Sequence, residues 1–215
     1  MKFNHNDRYP KINKNHVKGN GIDRKYLPNY FKLGEFDQGL IEDVMKVYYL
    51  TINENHIGSN SEYEMSTESP LRTYFPETYR QIILQKPLTD GSFEKDYQSF
   101  EENTNVLNKV KNLLKGITFY RCRIATLPAG DILDWHIDTN TSVLSRVHFV
   151  ISDNAHWFIN RKGIVEEKIL RKGEIWFTNT GYNHKVVNDT NKDRIVVTVG
   201  CDSRDLVNNW NLNDN

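Results

Sequence analysis

The sequence predicts a mainly β chain, a sandwich or barrel with flanking helices, and three observations carry that expectation. Beyond Gly116 the apolar period falls to two, and short strands are expected at 117–127, 132–138, 145–152, 155–160, 164–170, 174–179, 184–188 and 194–201. Gly, Asn or Asp separates most of them, a spacing that suits a sandwich or barrel better than a βαβ sheet. Before Gly116 the pattern is helical or irregular.

In chain order, the N-terminus is rich in Lys and Asn and shows no apolar periodicity. Leu40-Ile41, Val44-Met45 and Val47-Tyr48 recur at three-to-four-residue intervals, which predicts an amphipathic helix of about three turns. Residues 57–71 are polar and poorly anchored and read as a loop. That loop holds Tyr63 and precedes Tyr74-Phe75, aromatics suited to a lid over a bound side chain; a surface loop without a catalytic part is the plainer alternative. Phe93 to Lys115 is expected as one long helix, with Tyr97, Phe100, Val106, Leu107 and Val110 on one face and Gly116 as its stop. The strand 117–127 ends at the turn signal Pro128-Ala129-Gly130, and a second strand begins at Ile132. No repeat or linker interrupts the pattern. The chain therefore reads as one domain over 1–215, with 1–115 packed on a β core at 116–202 and a short tail at 203–215.

Composition narrows the function. Twenty-eight basic and 28 acidic side chains give no net charge, so the positive field usual in nucleic-acid binders is missing and no nucleic-acid partner is expected. Cys122 and Cys201 lie far apart on predicted strands and are expected as buried, reduced thiols. No apolar run of membrane-spanning length or signal-peptide pattern occurs, so no membrane partner and a cytoplasmic location are expected.

The chemistry concentrates in Asp134-Trp135-His136-Ile137-Asp138. With 7 His and 15 Asp, chance alone supplies about half an H-x-D per chain of this composition. The second example, His5-Asn6-Asp7, sits in the irregular terminus and reads as that chance occurrence. His136 and Asp138 fall on a predicted strand instead, where residues i and i+2 share a face and can meet one ion. His184 opens a later strand after the turn Asn179–Asn183, and Arg194 opens the last one. Two imidazoles and one carboxylate form the protein side of a facial triad for non-haem Fe(II). Arg194 would be costly to bury without an anion, and a bound dicarboxylate would match its guanidinium fork. Arg146-Val147-His148 repeats the i, i+2 spacing. Taken singly, each residue has a blander reading, a solvated sheet face or a surface histidine; together they point to one site.

Over about 80 residues, from Arg123 to Asp202, the chain resembles the aspartyl/asparaginyl β-hydroxylase-like branch of Fe(II)/2-oxoglutarate-dependent oxygenases, which includes some free-proline hydroxylases. The matching features are Leu127-Pro128-Ala129-Gly130, His136-Ile137-Asp138, Arg146-Val147-His148, Trp157-Phe158, Lys172-Gly173-Glu174, Asn179-Thr180, His184 and Arg194. The resemblance implies a double-stranded β-helix, a jelly-roll, cupin-like barrel with a metal near one mouth. It implies His136, Asp138 and His184 as catalytic iron ligands, Arg194 on the distal carboxylate of 2-oxoglutarate, and Arg146 and His148 helping to hold that co-substrate. It also implies a reaction, in which O₂ and 2-oxoglutarate hydroxylate an aliphatic carbon with release of succinate and CO₂. The substrate would be a free amino acid or a side chain of a peptide or protein.

Departures from the pattern are informative. Some animal members lack the carboxylate ligand, whereas Asp138 completes the triad here. Ala125 stands where some members carry a hydroxyl that touches 2-oxoglutarate, and Thr126 or Arg123 are the candidates to substitute. Only thirteen residues follow Asp202, so the C-terminal helical region of some proline hydroxylases is not expected, and proline is the less favoured substrate. Trp135, Trp157, Trp176 and Tyr182 suit the walls of a pocket or ordinary core packing. Arg121 or Arg123 suits a clamp on a substrate carboxylate or an exposed strand face. The competing class is a cupin-like metal-binding protein without oxygenase activity, in which Arg146 and Arg194 would have no reason to converge on the metal.

Overall fold

From Phe119 onward the alternating strands form most of two antiparallel sheets, and Arg123, Arg146, His148 and Arg194 on them are buried inside. The computed structural model describes residues 17–18, 21–53, 80–87, 97–99, 104–152 and 155–210. Short β1 (Val17–Lys18) pairs with β2 (Gly21–Ile22), and a 3-10 turn at Arg24–Tyr26 leads into β3 (Tyr30–Glu35). Helix α1 (Gln38–Asn53) follows, then β4 (Arg80–Ile83), β5 (Lys86–Pro87), β6 (Tyr97–Ser99) and helix α2 (Thr104–Leu113). The β region runs through β7 (Phe119–Leu127), β8 (Ile132–His136), β9 (Ser145–Val150) and β10 (Ala155–Arg161). It continues with β11 (Ile164–Leu170), β12 (Glu174–Thr178), β13 (Asn183–Val187) and β14 (Arg194–Cys201), and helix α3 (Ser203–Trp210) comes last.

The major sheet has the order β3-β12-β9-β14-β7-β4, the minor sheet β11-β10-β13-β8. Together they make the jelly-roll barrel. Across the major sheet Ile175, Phe149, Val197 and Ile124 are register partners on one face. Leu40, Val44, Leu107 and Val110 of the helices join that face in the larger core. The opposite face looks across to the minor sheet, where Leu127, Val150 and Trp176 meet Leu133, Trp157, Leu170 and Val186 in a second, smaller core. Strands β9 and β14 are buried along their whole length because both of their faces are covered.

The two helices before the barrel are tied together by polar contacts. Asp37 Oδ1 accepts the Leu40 N–H at the start of α1 (3.2 Å). Lys109 of α2 reaches Asp43 (2.6 Å) and the Gly39 carbonyl (2.8 Å) on α1. Gly116 closes the α2 turn at φ +84°, a conformation that favours glycine.

All eight expected strands form, and the helix expected from Leu40 onward is α1. Three expectations are corrected. The long helix from Phe93 begins only at Thr104, because Tyr97–Ser99 pairs with Lys86–Pro87 as a strand; the rest of the 93–103 stretch lies outside the described residues. The strand expected to reach Asp138 stops at His136. The tail expected after Asp202 starts with α3, whose Leu206 and Val207 are buried in the larger core. Strands β3 and β4, which local pattern did not announce, complete the edges of the major sheet. The loop 57–71 with Tyr63 and Tyr74-Phe75, and His5-Asn6-Asp7, lie outside the described residues. Both cysteines are buried and outside any disulfide, and burial pushes the Cys122 thiol well above its usual range. Among the described residues no helix is long and apolar enough to cross a membrane.

Phe149 is fully buried where the major sheet meets the helices, its ring 5.9 Å from that of Phe36. Phe149→Ala should lower stability to urea by about 3–5 kcal/mol, whereas Ile164→Thr, at a surface position, should change it by less than about 0.5 kcal/mol. Equal effects from the two substitutions would contradict this layering.

Candidate metal centre

Strands β8 and β13 are neighbours in the minor sheet, and their register pairs His136 directly with His184. Both imidazoles are buried, and their ring centroids are 4.1 Å apart. Each ring is oriented from behind by its own chain: His136 Nδ1 meets the Asp134 carbonyl (2.6 Å) and His184 Nδ1 the Tyr182 carbonyl (3.0 Å). A carbonyl can only accept, so each Nδ1 carries the hydrogen and each Nε2 keeps a lone pair for a ligand.

Asp138 arrives by a different route. It lies past the end of β8 in a turn, and its N–H donates to the Thr180 carbonyl (3.1 Å), just upstream of His184. Its carboxylate is 3.7 Å from His136 Nε2 and accepts a hydrogen bond from Arg146 Nε (3.0 Å). One ligand atom each of His136, Asp138 and His184 lie within 4.8 Å of one another, a donor set able to hold a divalent ion.

Electrostatics favour the donor forms. Burial pushes the Asp138 carboxyl up, but Arg146, His184 and His136 outweigh it and hold the group well below the usual carboxylate range. Burial drives His184 down to about 4 against the opposing pull of Asp138, so the ring is neutral at pH 7. The centre thus presents one carboxylate and a neutral His184.

Facing it, the inner surface of the major sheet is unusually polar. Trp176, His148, Thr198 and Arg123 are register partners across β12, β9, β14 and β7, and so share a face. Alternation puts Arg146 and Arg194 on that same face. Trp157 spans the gap: it stacks on His184 (centroids 5.8 Å, 9° between planes), lies 4.8 Å from the His148 ring, and has the Arg194 guanidinium 5.2 Å above it. Burial, then Arg194, Arg146 and Arg123, drive His148 well below its ordinary value. Neither ring nitrogen of His148 has a hydrogen-bond partner among the described residues, nor do the buried hydroxyls of Thr178 and Thr198 or the Trp157 indole N–H. Such a cluster of unsatisfied polar atoms beside guanidinium groups suits an anion with several acceptor oxygens. Asn188 steadies the entry to β14, donating through Nδ2 to the carbonyls of Leu127, Pro128 and Lys192 (each 2.9 Å).

The residues singled out in the sequence are sorted by this arrangement. His136, Asp138, His184, Arg146, His148, Arg194 and Arg123 converge on the barrel interior. Thr126 does not: it pairs with Ile195, whereas Ala125 pairs with Val196 on the inner face. The hydroxyls that face inward are those of Thr178 and Thr198, which sequence reading passed over; the signal was the even spacing of Thr198 from Arg194. Trp157 is a wall of the site, whereas Trp135 stacks with Lys185 at 5.3 Å on the outer side of the minor sheet. Trp176 packs in the smaller core with Lys168 over its ring at 4.9 Å. Arg121 sits in β7 at φ +47°, next to the register shift opposite Thr198 and Gly200, and its carbonyl accepts from Arg123 Nη1 (3.3 Å).

Residues 46–203, well over half the chain, match the sequence model of the aspartyl/asparaginyl β-hydroxylase family. No curated protein matches the chain in sequence. Among solved structures, AviO1 from Streptomyces viridochromogenes Tue57 is similar at a TM-score of 0.50, 10% identical over 81% of this chain and 89% of that one. A non-heme monooxygenase, ThoJ in complex with nickel, gives 0.46, with 14% identity over 80% of this chain and 73% of that one. A 2OG-Fe(II) oxygenase family oxidoreductase from Burkholderia pseudomallei gives 0.42, with 11% identity over 58% and 67%. At these identities the likeness is one of fold.

The pairing of Arg146 with Asp138 can be measured without any ligand. A double-mutant cycle on Asp138→Asn and Arg146→Met in metal-free protein should give a coupling of about 1–3 kcal/mol in unfolding free energy. Additivity within about 0.5 kcal/mol would mean that the two groups do not interact.

Proposed function

This chain belongs to the aspartyl/asparaginyl β-hydroxylase family, and on that premise we propose that it is an Fe(II)/2-oxoglutarate-dependent dioxygenase hydroxylating an aliphatic carbon of an amino acid or of a peptide side chain. The observation that carries the proposal is the convergence of a His-Asp-His donor set with Arg146, His148 and Arg194 inside one barrel. The donor chemistry fits Fe(II): two nitrogen donors and one carboxylate that leave other coordination positions open. When bound, iron supplies activation of O₂, which with 2-oxoglutarate yields succinate, CO₂ and the hydroxylated product.

The remaining work belongs to the chain's own groups. His136, Asp138 and His184 would hold the ion, and the carbonyls of Asp134 and Tyr182 keep both imidazoles in the donor tautomer. Arg146 keeps Asp138 ionised and aims it. The Arg194 fork would receive the distal carboxylate of 2-oxoglutarate, with the flat Trp157 ring beside it. His148 and the Thr198 hydroxyl, both without hydrogen-bond partners among the described residues, would donate to the same anion. The indole, stacked on His184 with the Arg194 guanidinium over its ring, would exclude water from the space between them. A cupin-like metal protein without oxygenase activity would have no use for Arg194 at this position.

Two substitutions test the assignment. Asp138→Ala should bind Fe(II) at least about 10-fold more weakly and form no succinate from 2-oxoglutarate. Full iron occupancy in that variant would remove Asp138 from the ligand set. Arg194→Ala should bind the metal as the parent does but need at least about 10-fold more 2-oxoglutarate, and Arg194→Lys should recover only part of the loss because charge returns without the fork. Unchanged 2-oxoglutarate dependence in Arg194→Ala would sink the co-substrate assignment.

A further inference from the structure

The metal centre is split across two turns. One, residues 137–142, carries Asp138; the other, residues 179–182, precedes His184. Both turns are gripped by a single segment far away in the chain, Gly21 to Asn29, which lies outside the stretch that matches the family. We propose that this segment is a strap that positions the metal ligands, with Arg24 as its central positioning residue. The inference rests on reading His136, Asp138 and His184 as metal ligands.

The contacts to the second turn are the denser. Asn179 Nδ2 donates to the carbonyls of Arg24 (3.0 Å), Pro28 (3.1 Å) and Leu27 (3.4 Å), and the Asn179 N–H donates to Asn29 (2.9 Å). The Arg24 guanidinium donates to the Gly181 carbonyl and lies 5.0 Å from the centre of the Tyr182 ring. Arg161 rests against the same ring at 4.9 Å and donates to the carbonyls of Leu27 (2.9 Å) and Lys25 (2.5 Å). Tyr182 is thereby held by two cations, both joined to the strap.

The first turn is held by the other half of the segment. Thr141 Oγ1 donates to the Ile22 carbonyl (2.7 Å), and the Arg24 N–H donates to Asn140 Oδ1 (3.3 Å). Gly21 lies against the backbone of Ser142 so closely that a Cβ there would collide with it. The geometry then closes on the ligands. Arg24 binds the Gly181 carbonyl, and Gly181 lies between two residues that set ligand positions. Thr180 accepts the Asp138 N–H (3.1 Å), and Tyr182 accepts His184 Nδ1 (3.0 Å). One guanidinium, bonded to one carbonyl, tethers the backbone groups that place Asp138 and orient His184.

The experiment is a titration of purified, metal-free full chain with Co(II), read by its visible d–d absorption, beside far-UV circular dichroism and thermal unfolding. Arg24→Met keeps the apolar stem and removes the guanidinium. It should weaken Co(II) binding about 10- to 100-fold and shift the d–d band while the circular dichroism stays native. Arg24→Lys should restore part of the affinity. Phe149→Ala, which destabilises the fold away from the centre, should leave Co(II) affinity and band position unchanged, so general loosening cannot mimic the result. If Arg24→Met does not fold, Arg161→Met removes the other cation from Tyr182 and is read in the same way. Parental affinity and spectrum in a folded Arg24→Met or Arg161→Met protein would overturn the strap. Asp138→Ala separates the two ideas: if it binds Co(II) like the parent, the metal assignment fails, and if it alone loses Co(II), only the strap fails.

Discussion

Guanidinium groups held inside the barrel are the constraint to which the rest of the structure answers. Arg123, Arg146 and Arg194 are all buried on one face of a sheet whose opposite face is packed with aliphatic and aromatic side chains. A cation taken out of water costs several kcal/mol unless it finds compensation. Each finds a different kind here. Arg146 has the Asp138 carboxylate, Arg194 lies on the indole of Trp157, and Arg123 donates to the Arg121 carbonyl. The imidazole of His148, among these cations, is pushed towards its neutral form. The smaller core stays polar on one side because a site has been built into it.

The fold divides its labour accordingly. Sheet register sets the imidazoles, since His136 and His184 are direct partners on adjacent strands and can shift only if the ladder shifts. The carboxylate is set by turns, which lack a ladder and are held by side-chain bonds to distant backbone. Asn179 serves this purpose ahead of β13, and Asn188 does the same for the turn into β14, each buried and each donating to three carbonyls. Asparagine suits such hubs because its amide offers two donors on a short, stiff stem. Strand pairing thus places the histidine pair, and turn contacts place Asp138 and orient His184.

Membership of the family and the jelly-roll barrel do not by themselves supply the chemistry, because the same barrel supports metal proteins of several kinds. What separates them is the lining. A donor set of two imidazoles and a carboxylate facing buried arginines and unsatisfied hydroxyls is chemically suited to a metal together with an anion. Hydroxyls at Thr178 and Thr198 and the methyl of Ala125 share the inner face of the major sheet in this lining.

Much of this was legible in the linear chain, and the legible part is local. Period-two alternation from Phe119 to Cys201 announced the eight strands β7 to β14, because successive strand residues point to opposite faces and the two faces meet different surroundings, but it did not announce the edge strands β3 and β4. The His136-Ile137-Asp138 spacing and the placement of His184 and Arg194 marked the residues that meet inside. What the tertiary structure decided depends on segments far apart in sequence. Asp138 leaves its strand because its N–H pairs with Thr180, 42 residues on. Arg146 turns to Asp138 because β9 passes beside that turn. Thr198 rather than Thr126 faces the site because register, and not residue type, assigns a face. Arg24 carried no signal at all, for it meets Gly181 across a sequence separation of 157 residues. Local periodicity records which face of a strand is apolar, but which turn a distant arginine will grip is settled only when the sheets close and bring their backbone carbonyls within reach.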